Sequence, residues 1–257
     1  QWVSRLRKSL GSNSLLLSQQ SIVPVDSDSK AGSMYEILIG LENEKGERIP
    51  AGAFLPAAER YNLMPQMDRW IVKSIFHWLS RNPQKLNQLD ACMINLSGQT
   101  LNDETFSRFV FNCMEESEIP PEKICFEITE TAAISNLAKT GRLIRNLKKE
   151  GCQFALDDFG SGMSSYAYLK HLPVDYIKID GIFVRDLVDD PIDLALVNSI
   201  NEIAHILNKK TIAEYVENDD ILDLLREIGV DYAQGFGIAY PEKISEENPP
   251  GGNQASH

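Results

Sequence analysis

Seven polar side chains, Glu36, Asn95, Glu127, Asp157, Lys178, Glu214 and Gln234, each stand at or near the end of a short apolar run. Any one of them alone reads as a solvated strand end or a helix cap. Together they suggest more, because the ends of strands that converge on one axis bring their side chains into one pocket. Four carboxylates crowded there repel one another unless cations sit among them. Carboxylates and an amide carbonyl are hard oxygen ligands suited to Mg2+ or Mn2+, and no histidine or cysteine cluster points to zinc. The stretch CQFALDDFGSGMSS (152–165) adds a second aspartate, Asp158, directly after Asp157. Neighbouring residues on a strand face opposite ways, but Gly160 and Gly162 permit a sharp backbone path. Asp157 can then bridge two ions while Asp158 turns back to the second. Two ions about 4 Å apart with a shared carboxylate are the arrangement for in-line attack of hydroxide on a phosphodiester. Lys178, a cation amid these acids, reads as the group that orients the attacking water or balances charge. Its alternative is a salt-bridge partner at the mouth of the pocket.

These residues must be positioned by the elements around them. Runs of β type alternate with helical patterns, the signature of a parallel α/β sheet. Strands are predicted at 15–25, 34–41, 91–97, 124–130, 153–159, 176–180, 211–217 and 232–240, with a long helical region over 51–81. The helices LAKTGRLIRNLKKEG and ILDLLREIG each end in a glycine that serves as a C-cap, and PIDLALVNSINEIAHILN (191–208) reads as a barrel-covering helix. Eight strands at this spacing favour a closed (β/α)8-type barrel, whose catalytic residues gather at the C-terminal strand ends. No internal repeat and no linker divides the 257 residues, a usual length for one such barrel.

The net charge of -12 argues against binding a nucleic-acid polymer or an anionic membrane, both of which need a basic footprint. A phosphorylated ligand remains possible if cations mediate the contact. Cys92, Cys113, Cys125 and Cys152 form no CxxC pair and read as buried thiols of a reducing, cytoplasmic compartment. No stretch approaches a transmembrane span and no signal peptide is visible. QWVSRLRKSL opens without a methionine, as in a piece of a longer chain, and residues 1–13 read as a linker helix. The polar, Gly/Pro-rich segment 244–257 reads as a disordered tail.

At this point the motifs match a known family. YEIL, INLSGQTL, FEITET, ALDDFGSGMSSYAYLKHLPVDYIKIDGIFVRDL, IAEYVE and YAQGFG occur in that order, and over roughly Trp2 to Pro241 the chain resembles the EAL-domain cyclic-di-GMP phosphodiesterases, which places the domain at 14–243. The resemblance implies a modified (β/α)8 barrel with an antiparallel first strand. It also implies hydrolysis of cyclic di-GMP to linear pGpG with Mg2+ or Mn2+, two ions in all, with Ca2+ inhibitory. Carried over position by position, Glu36, Asn95, Glu127 and Asp157 would hold one metal, and Asp157, Asp158 and Glu214 the other. Lys178 would contact the attacking water, Glu214 would assist as base, and Gln234 would position water or metal. Glu130 would anchor the loop after Asp158. Gln20, Glu36, Leu38 and Asp180 would serve the substrate, Asp180 by supporting the metal ligands. The resemblance further implies a possible homodimer and an upstream signalling module of the GGDEF type.

Three positions depart from the family pattern. A QS pair, Gln20-Ser21, stands for QP, Ile37 replaces the signature alanine, and Gly40 stands where an arginine usually contacts the ligand. Loss of a charge-assisted hydrogen bond is worth roughly 1.5–3 kcal/mol, about ten- to a hundredfold in affinity. Weakened binding with intact chemistry is therefore expected, together with tighter binding in a Gly40→Arg variant. The competing readings are a degenerate EAL module that binds cyclic di-GMP as a receptor, an enolase-like barrel using Lys178 as base, and a binding-only scaffold. The enolase class normally carries a capping domain for which this chain has no room. A scaffold leaves the row of acids unexplained.

Overall fold

The two-residue period of the apolar runs builds one closed sheet. The structure, a computed structural model, describes residues 2–12, 15–26, 28–43, 45–162 and 166–244. Its first third contains α1 (Trp2–Ser12), β1 (Leu15–Pro24), β2 (Ser33–Glu42), β3 (Arg48–Pro50), α2 (Leu55–Arg60), α3 (Met64–Arg81) and α4 (Pro83–Gln88). The middle follows as β4 (Leu89–Leu96), α5 (Phe106–Ser117), β5 (Ile124–Thr129), α6 (Glu130–Ser135), α7 (Leu137–Lys149) and β6 (Gln153–Phe159). The last third is β7 (Tyr176–Ile179), α8 (Gly181–Val184), α9 (Pro191–Ile206), β8 (Lys210–Ala213), α10 (Asp219–Ile228), β9 (Tyr232–Ala233) and β10 (Glu242–Lys243).

Strands β2 and β4 to β9 run parallel around the barrel, and β1 closes it antiparallel between β2 and β9. The closed (β/α)8-type barrel with a reversed first strand is thus observed. Two short strands were not expected: β3 extends the sheet antiparallel beside β2, and β10 pairs with β1. Three residues and two residues are too short to show a period, so no pattern marks them in the sequence.

Other elements end where local chemistry stops them. The helical region 51–81 divides into α2 and α3, each with a proline in its first turn, the position proline tolerates, and Asn62 between them is left-handed. Glu130, expected at a strand end, instead starts α6, whose N-cap is Thr129. Asp180 likewise lies beyond β7 and caps α8. Strands predicted over 211–217 and 232–240 stop at Ala213 and Ala233. Tyr215, at φ 58, and the close pass of Gly235 against Val216 turn both chains away from the sheet. Gly229 caps α10 in the left-handed region, as its place after the helix demanded.

The core has two parts. Helices bury one large apolar layer against the outside of the barrel. Inside it, Ile22, Met34, Met93, Cys125, Ala155, Tyr176, Ile212 and Tyr232 form a separate apolar floor. Helix α1 packs Leu6, fully buried, against Leu41, Phe54 and Met67. All four cysteines are free and buried. No helix among the described residues is long and apolar enough to cross a membrane. The tail expected over 244–257 lies outside the described residues, apart from Ile244.

Candidate active site

Side chains two residues apart on a strand share a face. Two positions beyond each residue of the apolar floor, in the direction of the parallel strands' C-terminal ends, stand Glu36, Asn95, Glu127, Asp157, Lys178, Glu214 and Gln234. On the reversed strand β1 the step runs backwards, from Ile22 to Gln20, and Gln20 faces Glu36 across the pair. One polar layer therefore sits on one apolar layer, with a contribution from every barrel strand or the residue just after it.

Lys178 is the hub of this layer. It is fully buried, and its Nζ lies 3.1 Å from Glu36 Oε2, 3.1 Å from Glu127 Oε1, 3.3 Å from Asp157 Oδ1 and 3.1 Å from Glu214 Oε1. Burial alone would lower its pKa, but the four acids outweigh that and hold it well above the usual lysine value. Glu36 is also fixed by Asn95 Nδ2 at 2.7 Å and Gln234 Nε2 at 2.8 Å, and Gln234 Nε2 donates to Gln20 Oε1 at 3.2 Å. Burial would raise the Glu36 carboxyl, yet Lys178 and these amides bring it below the usual range.

The remaining acids are not satisfied in this way. Burial first, then the charge on Glu36, drives Glu127 far up despite Lys178. Burial raises Glu214 to about 8, with Asp157 and Glu36 adding to it and Lys178 opposing. Asp158 rises to about 6 through burial and the neighbouring Asp157 and Asp180.

Asp158 answers the question of the adjacent aspartates. Pairing between β6 and β7 shifts register between Leu156 and Phe159, and Asp158 sits in this irregularity at φ 53. A bulge of this kind breaks the alternation and re-aims a side chain. Asp157, Asp158 and Glu214 consequently place one oxygen each within 4.8 Å of one another, while Phe159 returns to the core. Both oxygens of Glu127 and Oδ1 of Asp157 are buried without a hydrogen-bond partner. Their approach to Lys178 is electrostatic rather than a well-aligned hydrogen bond. Buried carboxylate oxygens left over in an acidic cluster are the donor set that a hard divalent cation takes.

Loops fix this geometry from outside. Glu130 Oε2 accepts from Gly160 N at 3.0 Å and its other oxygen accepts from Tyr168 Oη, so it holds the chain just past Asp158. At Gly235 a Cβ would come 2.3 Å from the backbone N and O of Val216. This close pass, closed by Val216 N to Gln234 O at 3.0 Å and Gly237 N to Val216 O at 2.9 Å, locks the loops carrying Glu214 and Gln234 together. Asp180 does not join the cluster: its Oδ1 caps α8 through Ile182 N at 3.0 Å.

Two cavities open over the polar layer and share Leu38 and Asp158 in their walls. One, of about 370 Å³, exposes Gln20, Glu36, Glu214 and Gln234, rimmed by Tyr215 and Phe236. The other, of about 880 Å³, exposes Asn95, Asp157 and Arg48. Tyr215 and Phe236, exposed aromatics stranded beside the acids, were missed in the sequence because they lie within predicted strands. Arg48 was missed with its strand. Its guanidinium covers Gly40, where a Cβ would stand 2.8 Å from Arg48 Nε and 3.3 Å from Ile49 O. An arginine introduced at Gly40, expected to tighten binding, would have to displace Arg48 first.

A family model described as EAL domain matches residues 3–241. The chain belongs to the EAL domain family. It is 41% identical over 95% of its length to the cyclic di-GMP phosphodiesterase PdeB of Shewanella oneidensis, covering 28% of that protein. With the cyclic di-GMP phosphodiesterase PdeF of Escherichia coli it shares 32% identity over 94% of its length and 32% of the relative. The chain thus spans about a third of the length of these curated relatives. Among solved structures, the FimX EAL domain of Pseudomonas aeruginosa bound to c-di-GMP matches with a TM-score of 0.87 and 28% identity, over 94% of this chain and 96% of that one. The phosphodiesterase PaMucR in its c-di-GMP complex matches at 0.86 and 28%, over 93% and 96%. The EAL signature glutamate is Glu36, the residue held by Lys178, Asn95 and Gln234.

Proposed function

We propose that this EAL domain is a metal-dependent phosphodiesterase that hydrolyses cyclic di-GMP to linear pGpG. The observation that carries this reading is the set of buried oxygens on Glu127 and Asp157 that have no hydrogen-bond partner, set beside the Asp157–Asp158–Glu214 cluster. Glu36, Asn95, Glu127 and Asp157 would hold one Mg2+ or Mn2+, and Asp157, Asp158 and Glu214 a second. Bound there, the ions supply Lewis acidity to the phosphodiester and lower the pKa of the attacking water. The reaction adds water across one P–O3′ bond: oxygen bonds to phosphorus, O3′ leaves and takes a proton, and a 5′-phosphate remains.

The chain's own groups divide the rest of the work. Glu214, beside Lys178 and the Asp157–Asp158 pair, is placed to receive the water's proton once a bound cation keeps its carboxylate ionised. Lys178 Nζ, locked among four acids, keeps a fixed positive charge beside the place where the water enters. Gln234 holds Glu36 and is itself held by Gln20 on the neighbouring strand, and Tyr215 and Phe236 offer flat apolar faces to the guanine bases.

Incubation of the purified chain with cyclic di-GMP and Mg2+ or Mn2+ should yield pGpG. EDTA should stop the reaction, readdition should restore it, and Ca2+ should compete without supporting turnover, since it prefers longer bonds and higher coordination numbers. Binding without product would make the domain a receptor. Absence of both would overturn the reading.

Glu130 tests the support of the site. Because it ties Gly160 rather than facing the unpartnered oxygens, Glu130→Ala should lose activity by about 10- to 100-fold, the usual cost of removing a group that orients a metal ligand. Titration with Mg2+ should recover part of that loss, and no recovery would place Glu130 among the ligands themselves.

A further inference from the structure

We infer that Arg48 binds the substrate, its guanidinium taking the phosphodiester of cyclic di-GMP that is not being cleaved. The inference rests on the phosphodiesterase reading and adds a residue to it.

A cyclic dinucleotide brings two phosphate charges to a mouth lined with acids. The reacting one has the metal ligands beneath it, and the other needs a cation elsewhere. Lys178 cannot serve, being fully buried and engaged by four carboxylates. Among the described residues lining the two cavities, Arg48 is the one lysine or arginine.

Its placement is built rather than incidental. Glu36, Leu38 and Gly40 share one face of β2, and Ser18 of β1 lies opposite Leu38. From β3, Arg48 reaches across Gly40 and donates from Nη1 to the fully buried hydroxyl of Ser18 at 2.5 Å. Glycine leaves this path open, since a Cβ at 40 would stand 2.8 Å from Arg48 Nε and make that side chain shift. Among the described residues no salt bridge engages Arg48, which lines the larger cavity and carries further N–H donors besides the one given to Ser18. Its anchor Ser18 stands opposite Leu38, two residues from Glu36 and so about 7 Å along the strand. That step offsets the guanidinium from the acids of the polar layer, where it would meet the phosphodiester that is not reacting. Arginine pairs with phosphate through two parallel hydrogen bonds.

Such a contact acts on substrate and transition state alike, so its removal should appear in KM rather than kcat. Steady-state kinetics in Mg2+ and calorimetry of cyclic di-GMP in Ca2+ read the two effects. For Arg48→Ala, KM and Kd should rise about ten- to a hundredfold with kcat little changed. Gly40→Arg alone should gain no affinity, since the new side chain displaces Arg48. The double variant Gly40→Arg/Arg48→Ala should recover most of the loss, because an arginine rooted at 40 enters the space just vacated. Parental KM and Kd in Arg48→Ala would overturn this inference and leave the phosphodiesterase intact. An impaired Arg48→Ala that the double variant does not rescue would assign Arg48 a structural role at Ser18 and overturn it equally. A parent chain that neither binds nor cleaves cyclic di-GMP would remove the functional reading first and this inference with it.

Discussion

Asp157→Asn is expected to lower the turnover of cyclic di-GMP by at least about a thousandfold at saturating Mg2+. Asparagine keeps the size and one carbonyl oxygen, so the bulge at Asp158 and the packing beneath it are retained. What disappears is a negative charge whose Oδ1 is buried without a hydrogen-bond partner and which belongs to the Asp157–Asp158–Glu214 cluster. Metal catalysis of a phosphodiester is worth several kcal/mol, and each 1.36 kcal/mol is a factor of about ten in rate. Glu36→Ala and Asn95→Ala should fall in the same range, because each dismantles the set joined at Glu36. Initial rates of pGpG formation across a Mg2+ titration provide the check, with circular dichroism to confirm the fold. Near-parental turnover in any of the three at limiting metal would remove that residue from the ligand set.

The second large effect concerns stability. Lys178→Met should destabilise the metal-free domain by about 3–5 kcal/mol, the cost of removing one partner from a buried ionic group. Methionine replaces most of the apolar stem, so the loss isolates the ammonium. Without it, Glu36, Glu127, Asp157 and Glu214 face one another with no cation between them. Urea denaturation in EDTA should show the full deficit, and Mg2+ or Mn2+ should restore a large part of it by binding the folded state. Equal stability of parent and variant in EDTA would mean that protons, not Lys178, neutralise the cluster.

The eight-strand barrel and the polar ring were legible because each rests on a repeated local rule. Apolar residues such as Met93 and Ala155 precede Asn95 and Asp157 by one period of a strand, and the same step recurs around the barrel. Glu130 was legible only through its resemblance to a family motif; its contact with Gly160 joins residues 30 apart. Arg48 was hidden for a physical reason. A three-residue strand has no period, and the pairing of Gly40 with Pro50 that brings Arg48 over the glycine is a tertiary fact. Read from the sequence alone, Gly40 marked a missing side chain, whereas in the fold it is the opening through which another passes. The left-handed Tyr215 was equally unmarked, since an aromatic residue does not announce that conformation as glycine does.

The reversed first strand also dictates the order in which this site can come into being. β1 meets β9 at Val23 and Ala233 and β10 at Ser18 and Lys243, and Gln20 and Gln234 share a hydrogen bond across 214 positions. Synthesis delivers the N-terminal strands first, and pairings between distant segments are the slow ones to form. While β9 is still being made, β1 can lie on β2 but one of its edges waits unpaired. During that interval Glu36 has Asn95 as a neighbour but not Gln234. A nascent chain therefore holds all of these acids before Gln234 can join them, and the polar layer is complete only once β9 docks against β1.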